Sequence, residues 1–239
     1  MLNIKTPNIP KYHWKREPAD PRDHTYDPAA LGTVAPTLPT SVDLRSKCSP
    51  IEDQGQLGSC TGNAIAGLIE YLDRKANKNL DVSRLFIKAV NKYGAPLESL
   101  WPYLITRYAT RPSTAAYTDA LKRKAGAYQK ITNRVQGIKT ALSQGYPAVI
   151  GFDVYESFET QAVANTGMMP YPRAGEQLLG GHAVAIVGYN DTLNGGRFIC
   201  RNSWGTGWGD RGYFYMPYQV IANANMSDDF WIITSVSNP

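Results

Sequence analysis

Cys60 lies in QGQLGSCTGNA (residues 54–64), two small residues beyond a Gln-Gly-rich turn and just before the apolar-periodic stretch IAGLIEYL. A thiol at the first turn of a helix meets unpaired backbone N–H groups and the positive end of the helix dipole, which favour the thiolate. A lone cysteine there is more often a small buried hydrophobe than a nucleophile, and nucleophilic chemistry needs a partner that takes its proton. The chain has three histidines. His13 and His24 stand in a proline-rich leader with no periodic pattern around them, whereas His182 opens the apolar run HAVAIVGY after two glycines. Those glycines let a ligand or another backbone approach the ring. A neutral imidazole needs its second nitrogen held. Asn202, in RNSWGTGWGDRGYFYMP, offers an amide for that, and Trp204 can shield the bond from water. The plainer alternatives are a hydrogen-bonded core histidine at His182 and a turn residue at Asn202.

These side chains must be carried by elements that meet. Ile65, Leu68, Ile69 and Leu72 fall on one face of a helix running from about Ser59 to Lys75. Shorter helices are expected at about Val82 to Lys92, Thr114 to Lys124 and Arg134 to Ser143, the last stopping at Gln144-Gly145. Beyond them, residues 147–155, 182–189, 197–203, 212–217 and 230–236 are rich in β-branched and aromatic residues between Gly, Asn and Asp turns, and read as strands. The front half is mainly helical and the rear half mainly β, an α+β arrangement of two lobes. Residues 1–37 differ: six prolines (7, 10, 18, 21, 28 and 36) discourage helix and make this an extended arm.

In the order Cys, His, Asn, the segments resemble the papain-like cysteine proteases. LPTSVDLR (38–45) looks like the start of the mature enzyme and SPIEDQGQLGSC like the nucleophile segment. GGHAVAIVGY looks like the histidine strand and RNSWGTGWGDRGYF like the asparagine segment. The match runs from Leu38 to about Tyr218, and is nearest to the bacterial branch that includes xylellain, whose nucleophile segment also reads LGSCT. The resemblance implies a papain-like fold: a helical lobe, an antiparallel β-barrel lobe and a cleft between them, all within residues 38–239. It implies a cysteine endopeptidase working through a thioester acyl-enzyme. Cys60 is then the nucleophile, His182 its imidazolium partner and Asn202 the group that orients the ring. The Gln54 side chain and the Cys60 backbone N–H form the oxyanion hole. Gly58, Ser59, Gly181 and Trp204 line the substrate, with Trp204 also covering Asn202. Protein or peptide substrates and cysteine-protease inhibitors are the implied partners of a monomer that needs no cofactor.

Several positions depart from the family pattern. Leu57 and Thr61 replace the second cysteine and the aromatic that usually flank the nucleophile, so the disulfide of that upstream cysteine is absent. Cys48 and Cys200 remain, either paired with each other or as buried free thiols. Cys60 and His182 are closer in sequence than the roughly 130–150 residues typical of the family. This suggests a trimmed cleft or a loop omitted near Ile87–Lys88. Gly181 stands where the plant archetype carries an acidic residue.

Rival readings are a non-catalytic peptide binder, an acyl-transfer enzyme on the same scaffold, and a zinc site of Cys48, Cys60, Cys200 and His182. The last lacks any closely spaced ligand pair. The net charge of +5 comes with no Lys/Arg run or nucleic-acid motif, and no stretch reaches the ~18 apolar residues of a membrane span. Neither nucleic acid nor a membrane is therefore an expected partner. The start, MLNIKTPNIPKYHWKREPAD, lacks the apolar core of a secretory signal, which leaves the compartment open. The arm could lie along the cleft in extended form, since substrates bind there that way, or DPRDHTYDP could clasp the surface of a lobe.

Overall fold

The structure is a computed structural model that describes residues 12–18, 20–32, 37–87 and 90–237. In chain order its elements are β1 (Ser41–Asp43), α1 (Cys60–Lys75), α2 (Val90–Tyr93), α3 (Thr114–Ala120), β2 (Ala125–Lys130), α4 (Arg134–Ser143) and β3 (Ala148–Tyr155). They continue with α5 (Gln161–Thr166), β4 (Leu178–Asn190), β5 (Arg197–Arg201), β6 (Tyr213–Pro217), α6 (Tyr218–Ala222) and β7 (Ser227–Val236). The strands form one antiparallel sheet in the order β2-β7-β3-β4-β5-β6, and β1 pairs with β4 from outside that path. The architecture is the α+β, two-lobe papain-like fold.

Side chains on a strand alternate between faces, and here the alternation separates two cores. Ile150, Phe152 and Val154 of β3 join Val184 and Ile186 of β4 in a large cluster with Phe158, Phe198, Phe214 and Ile232. The intervening residues Val149, Ala185 and Val187 pack instead with Leu68 and Ile69 of α1 and with Ile233. The sheet's second face is thus the floor on which α1 lies. Each fully buried Leu, Ile or Phe contributes about 1.5–3 kcal/mol. A small third cluster, Phe86, Trp101, Ala116 and Ala120, closes the helical lobe.

Two helical expectations are corrected. The stretch Val82–Lys92 holds only the short α2 among its described residues, because long-range partners take its backbone groups. Val82 N–H donates to the Glu70 carboxylate and Ser83 N–H to the Pro96 carbonyl. The helix from Thr114 ends at Ala120, where Arg123 turns back: its carbonyl accepts the Ala95 N–H and its side-chain Nε donates to the Ala95 carbonyl. The junction at Ile87–Lys88 falls at residues 88–89, outside the described ones, as do residues 1–11 of the arm. Cys48 and Cys200 are free thiols: Cys200 lies in the large core and Cys48 against the α1 cluster.

Candidate active site

Cys60 is the first residue of α1 and only 1% exposed. Its neighbour Ser59 does not cap the helix with its side chain. The Ser59 hydroxyl instead meets the Tyr103 hydroxyl and accepts from Asn63 Nδ2 at 3.1 Å, so the N-terminal turn is fastened sideways. His182 stands on β4 opposite Phe152 of β3 and is fully buried. Asn202 follows β5, its backbone N–H bonded to the Gly212 carbonyl. Because α1 lies on the sheet face that includes β4, the helix start and the histidine strand converge.

His182 Nε2 and Asn202 Oδ1 are 2.9 Å apart. The same Oδ1 accepts the Ser203 backbone N–H at 2.9 Å, which identifies it as the oxygen and makes Nε2 the donor. The proton on Nε2 leaves Nδ1 of the neutral ring as an acceptor for the Cys60 thiol. Burial alone pushes the Cys60 thiol up, but the hydrogen bond and charge of His182 outweigh it. With help from the backbone N–H groups of Ala183 and His13, they bring the thiol down from the ordinary 9 to about 7. Trp204 stacks on the imidazole at 5.1 Å and 26°, so it covers His182 itself. The arrangement can hold a thiolate beside a proton donor in a place closed to bulk water.

Gln54 is fully buried and held from both ends of its amide. Ser203 Oγ donates to Oε1 at 2.6 Å, and Nε2 donates to the Leu57 carbonyl at 2.9 Å. The Gln54 backbone N–H donates to the Ser203 carbonyl, so this segment is tied to the one that carries Asn202. Gly58 is half-buried in the turn before α1. Ser203 and Tyr103 are supporting residues that sequence reasoning missed. Ser203 sits inside RNSWG, but its partner is 149 positions away, and nothing local marks Tyr103.

The remaining neighbours come from the arm. The Tyr12 ring lies 5.7 Å from that of His182 and 6.2 Å from that of Trp204. His13, set aside in the sequence reading for its ring, approaches Cys60 through its backbone N–H. Trp14 N–H donates to the Gly181 carbonyl at 2.9 Å, and its indole lies against Gly151. A Cβ at Gly181 would collide with the Trp14 carbonyl and one at Gly151 with the indole, so both glycines are required by this close approach. Farther along, the Tyr26 backbone N–H donates to the Lys130 carbonyl and Lys130 N–H to the His24 carbonyl, alongside β2. Among the described residues no group of three or more His, Cys, Asp or Glu could hold a metal ion.

Comparison with known proteins places the family and the fold. The family model described as papain family cysteine protease matches residues 81–233, a span that includes His182 and Asn202 and begins after Cys60. A peptidase C1-like protein of Acanthamoeba polyphaga mimivirus is 40% identical over 220 residues, covering 78% of this chain and 70% of that protein. Cysteine proteinase 3 of Entamoeba histolytica is 28% identical over 205 residues, covering 74% of this chain and 62% of its own length. Among solved structures, xylellain, a cysteine protease from Xylella fastidiosa, superposes with a TM-score of 0.83 at 31% identity and 97% coverage of both chains.

Proposed function

The chain belongs to the papain family of cysteine proteases, and from that premise we propose that it is an endopeptidase whose thioester intermediate forms on Cys60. The observation that carries this reading is the buried Cys60–His182–Asn202 alignment, with the thiol brought down to about 7. The thiolate attacks the scissile carbonyl carbon. The oxyanion is met by the Cys60 backbone N–H and the Gln54 amide, and losing one such donor typically costs about 2.7–4 kcal/mol of transition-state stabilisation. The His182 imidazolium gives its proton to the leaving amine. The neutral ring then takes a proton from water as the water attacks the thioester, and the acid product leaves with the thiol restored. Asn202 holds the ring in register throughout, and Trp204 keeps water from the Nε2 bond.

In this reading residues 12–18 act as a cover. They place Tyr12 against His182, a backbone N–H on Cys60 and Trp14 along the wall of the adjoining cavity. A substrate must displace them to reach the thiol, so the arm sets the basal rate of a protease that acts as a monomer on protein or peptide substrates.

The test is labelling with an irreversible vinyl sulfone or epoxide alongside peptide hydrolysis. Wild-type protein is expected to take one label and lose hydrolysis with it. Cys60→Ala is expected to take none and to lower kcat by several orders of magnitude. Labelling that persists in Cys60→Ala overturns the assignment.

A further inference from the structure

The proposed oxyanion hole takes its donors from two segments, the Cys60 backbone N–H at the start of α1 and the Gln54 amide on the loop before it. The Cys60 N–H shares a peptide plane with the Ser59 carbonyl. Asn63 holds that carbonyl twice, through its backbone N–H at 3.0 Å and its Nδ2 at 3.0 Å. Gln54 is anchored by its own carbonyl, which accepts the Leu57 N–H at 3.3 Å and the Tyr103 hydroxyl at 3.0 Å. One contact joins the two halves, between the Ser59 and Tyr103 hydroxyls. A hydroxyl has a single proton, and this fixes the direction of the chain. Tyr103 directs its proton to the Gln54 carbonyl, so Ser59 donates to the Tyr103 oxygen while accepting from Asn63 Nδ2 at 3.1 Å. The relay therefore runs from Asn63 through Ser59 and Tyr103 to Gln54, and each bond polarises the next.

We propose that Tyr103 is a positioning residue of the oxyanion hole, its hydroxyl setting the distance and aim of the Gln54 amide relative to the Cys60 N–H. The proposal rests on the peptidase reading above and deepens it. A hole assembled from two segments works only while both donors converge on one oxygen, and they must do so before the charge develops. Ser203 fixes the far end of the Gln54 side chain, whereas Tyr103 fixes the backbone from which that side chain springs. The tyrosine is itself held firmly. The Arg84 guanidinium lies over its ring at 4.6 Å, and Glu98 Oε1 accepts both the Tyr103 backbone N–H and Arg84 Nη2, the latter at 3.2 Å. Burial pushes the Tyr103 hydroxyl above its ordinary 10, so it stays a donor wherever the thiol is active. The imidazole takes its orientation from Asn202, so the relay governs charge stabilisation and leaves thiol ionisation to His182.

The experiment compares the full wild-type chain with Tyr103→Phe, which keeps the ring and removes the hydroxyl. Hydrolysis of fluorogenic peptides is expected to lose about tenfold in kcat and in kcat/KM alike, with KM little changed, the pattern of an interaction made in the transition state. The thiolate adds to the carbonyl carbon of a peptide aldehyde and sends the π pair to oxygen, in the same hole, so this inhibitor should bind about tenfold more weakly. Iodoacetamide forms its S–C bond at a saturated carbon and expels iodide with no oxyanion. Its rate on Cys60 should therefore stay within about twofold, and the thiolate midpoint should not move. Ser59→Ala parts Tyr103 from α1 but leaves its bond to Gln54, and should show the same split at about threefold, with little further loss when added to Tyr103→Phe. Hydrolysis and aldehyde binding unchanged in Tyr103→Phe, or alkylation lost by the same factor as hydrolysis, overturn the proposal. Should Tyr103→Phe not fold, an undiminished kcat in Ser59→Ala overturns it. A wild-type chain that cleaves no peptide sinks the peptidase reading instead, and the aldehyde affinities then decide alone: equal values in wild type and Tyr103→Phe overturn the proposal too.

Discussion

A buried thiol is a poor acid, and Cys60 at 1% exposure would sit above its ordinary range if burial were the only influence. His182 reverses that, first by hydrogen bonding and then by charge, so the depressed value near 7 belongs to the pair and not to the helix start alone. Removing the ring leaves burial unopposed by its main counterweight. His182→Ala is therefore expected to raise the thiol from about 7 towards or beyond the ordinary 9, a loss of roughly fiftyfold in thiolate at neutral pH. Thiolate absorbance against pH reads this without requiring a reagent to reach the sulfur. A midpoint left near neutrality would mean that the Ala183 and His13 N–H groups suffice, and that the imidazole is not the activating partner. Asn202 acts one bond further out. Its oxygen selects the Nε2–H form of the ring, so Asn202→Ala should shift the pH–rate profile as well as lower kcat.

Cys60 can be held only as well as α1 is held, and a buried polar knot does much of the holding. Glu70, 1% exposed, accepts from the Val82 N–H at 3.0 Å and from the Ser49 hydroxyl. Arg201 of β5 donates to the Ser49 carbonyl at 2.6 Å and to its hydroxyl at 3.1 Å, tying helix, loop and sheet together. Burial raises the Glu70 carboxyl from 4.5 to about 7, against the pull of Ser49, the Val82 N–H and Arg201. Between those values the folded chain keeps a proton that the unfolded chain has released. This group therefore favours folding least above the folded value, and its contribution falls as pH rises through the window. At 1.36 kcal/mol per unit the loss is about 3 kcal/mol. Glu70→Gln should remove that loss: urea unfolding at about pH 5 and about pH 8 is expected to show a smaller drop in the variant than in wild type, and equal drops would refute it. α1 itself was legible in the sequence because its apolar residues recur with helical spacing, and β3 to β7 because β-branched runs end at turn residues. β2 was missed because AGAYQK carries neither signal and is a strand only through its pairing with β7. The site divides in the same way: Cys60, His182, Asn202 and Gln54 sit in local motifs. Tyr103 and Ser203 acquire their roles from partners far along the chain, which no local pattern encodes.

At the scale of the whole molecule the arm makes two separate sets of contacts, and this decides how the proposed covering must be tested. Its second part is structural. Tyr26 is 7% exposed in the large core, bonds Gln144 Oε1 at 2.6 Å, and shares with His24 the backbone bonds along β2. A chain begun at Leu38 would lose all of this, so altered activity there would mix uncovering with damage to the β lobe. The first part, residues 12–18, meets the cleft through Tyr12, His13 and Trp14 and the neighbouring surface through Arg16, which also donates to the Ala224 carbonyl at 2.5 Å, and point variants separate it from the rest. Two kinds of contact hold it down. The Arg16 pairs with Asp153 and Asp228 are long and about one-third exposed, and pairs of that kind contribute about 0–1 kcal/mol and weaken in salt. The Trp14 indole is packed on Gly151 and bonded to Asp229, and a large aromatic so placed contributes about 1.5–3 kcal/mol. If covering limits access to Cys60, Trp14→Ala should speed vinyl-sulfone labelling by about tenfold or more. Arg16→Ala, or added salt, should do so by only about two- to threefold. The reverse order would make the cover an electrostatic latch, and no change with either variant would mean that residues 12–18 do not gate the thiol.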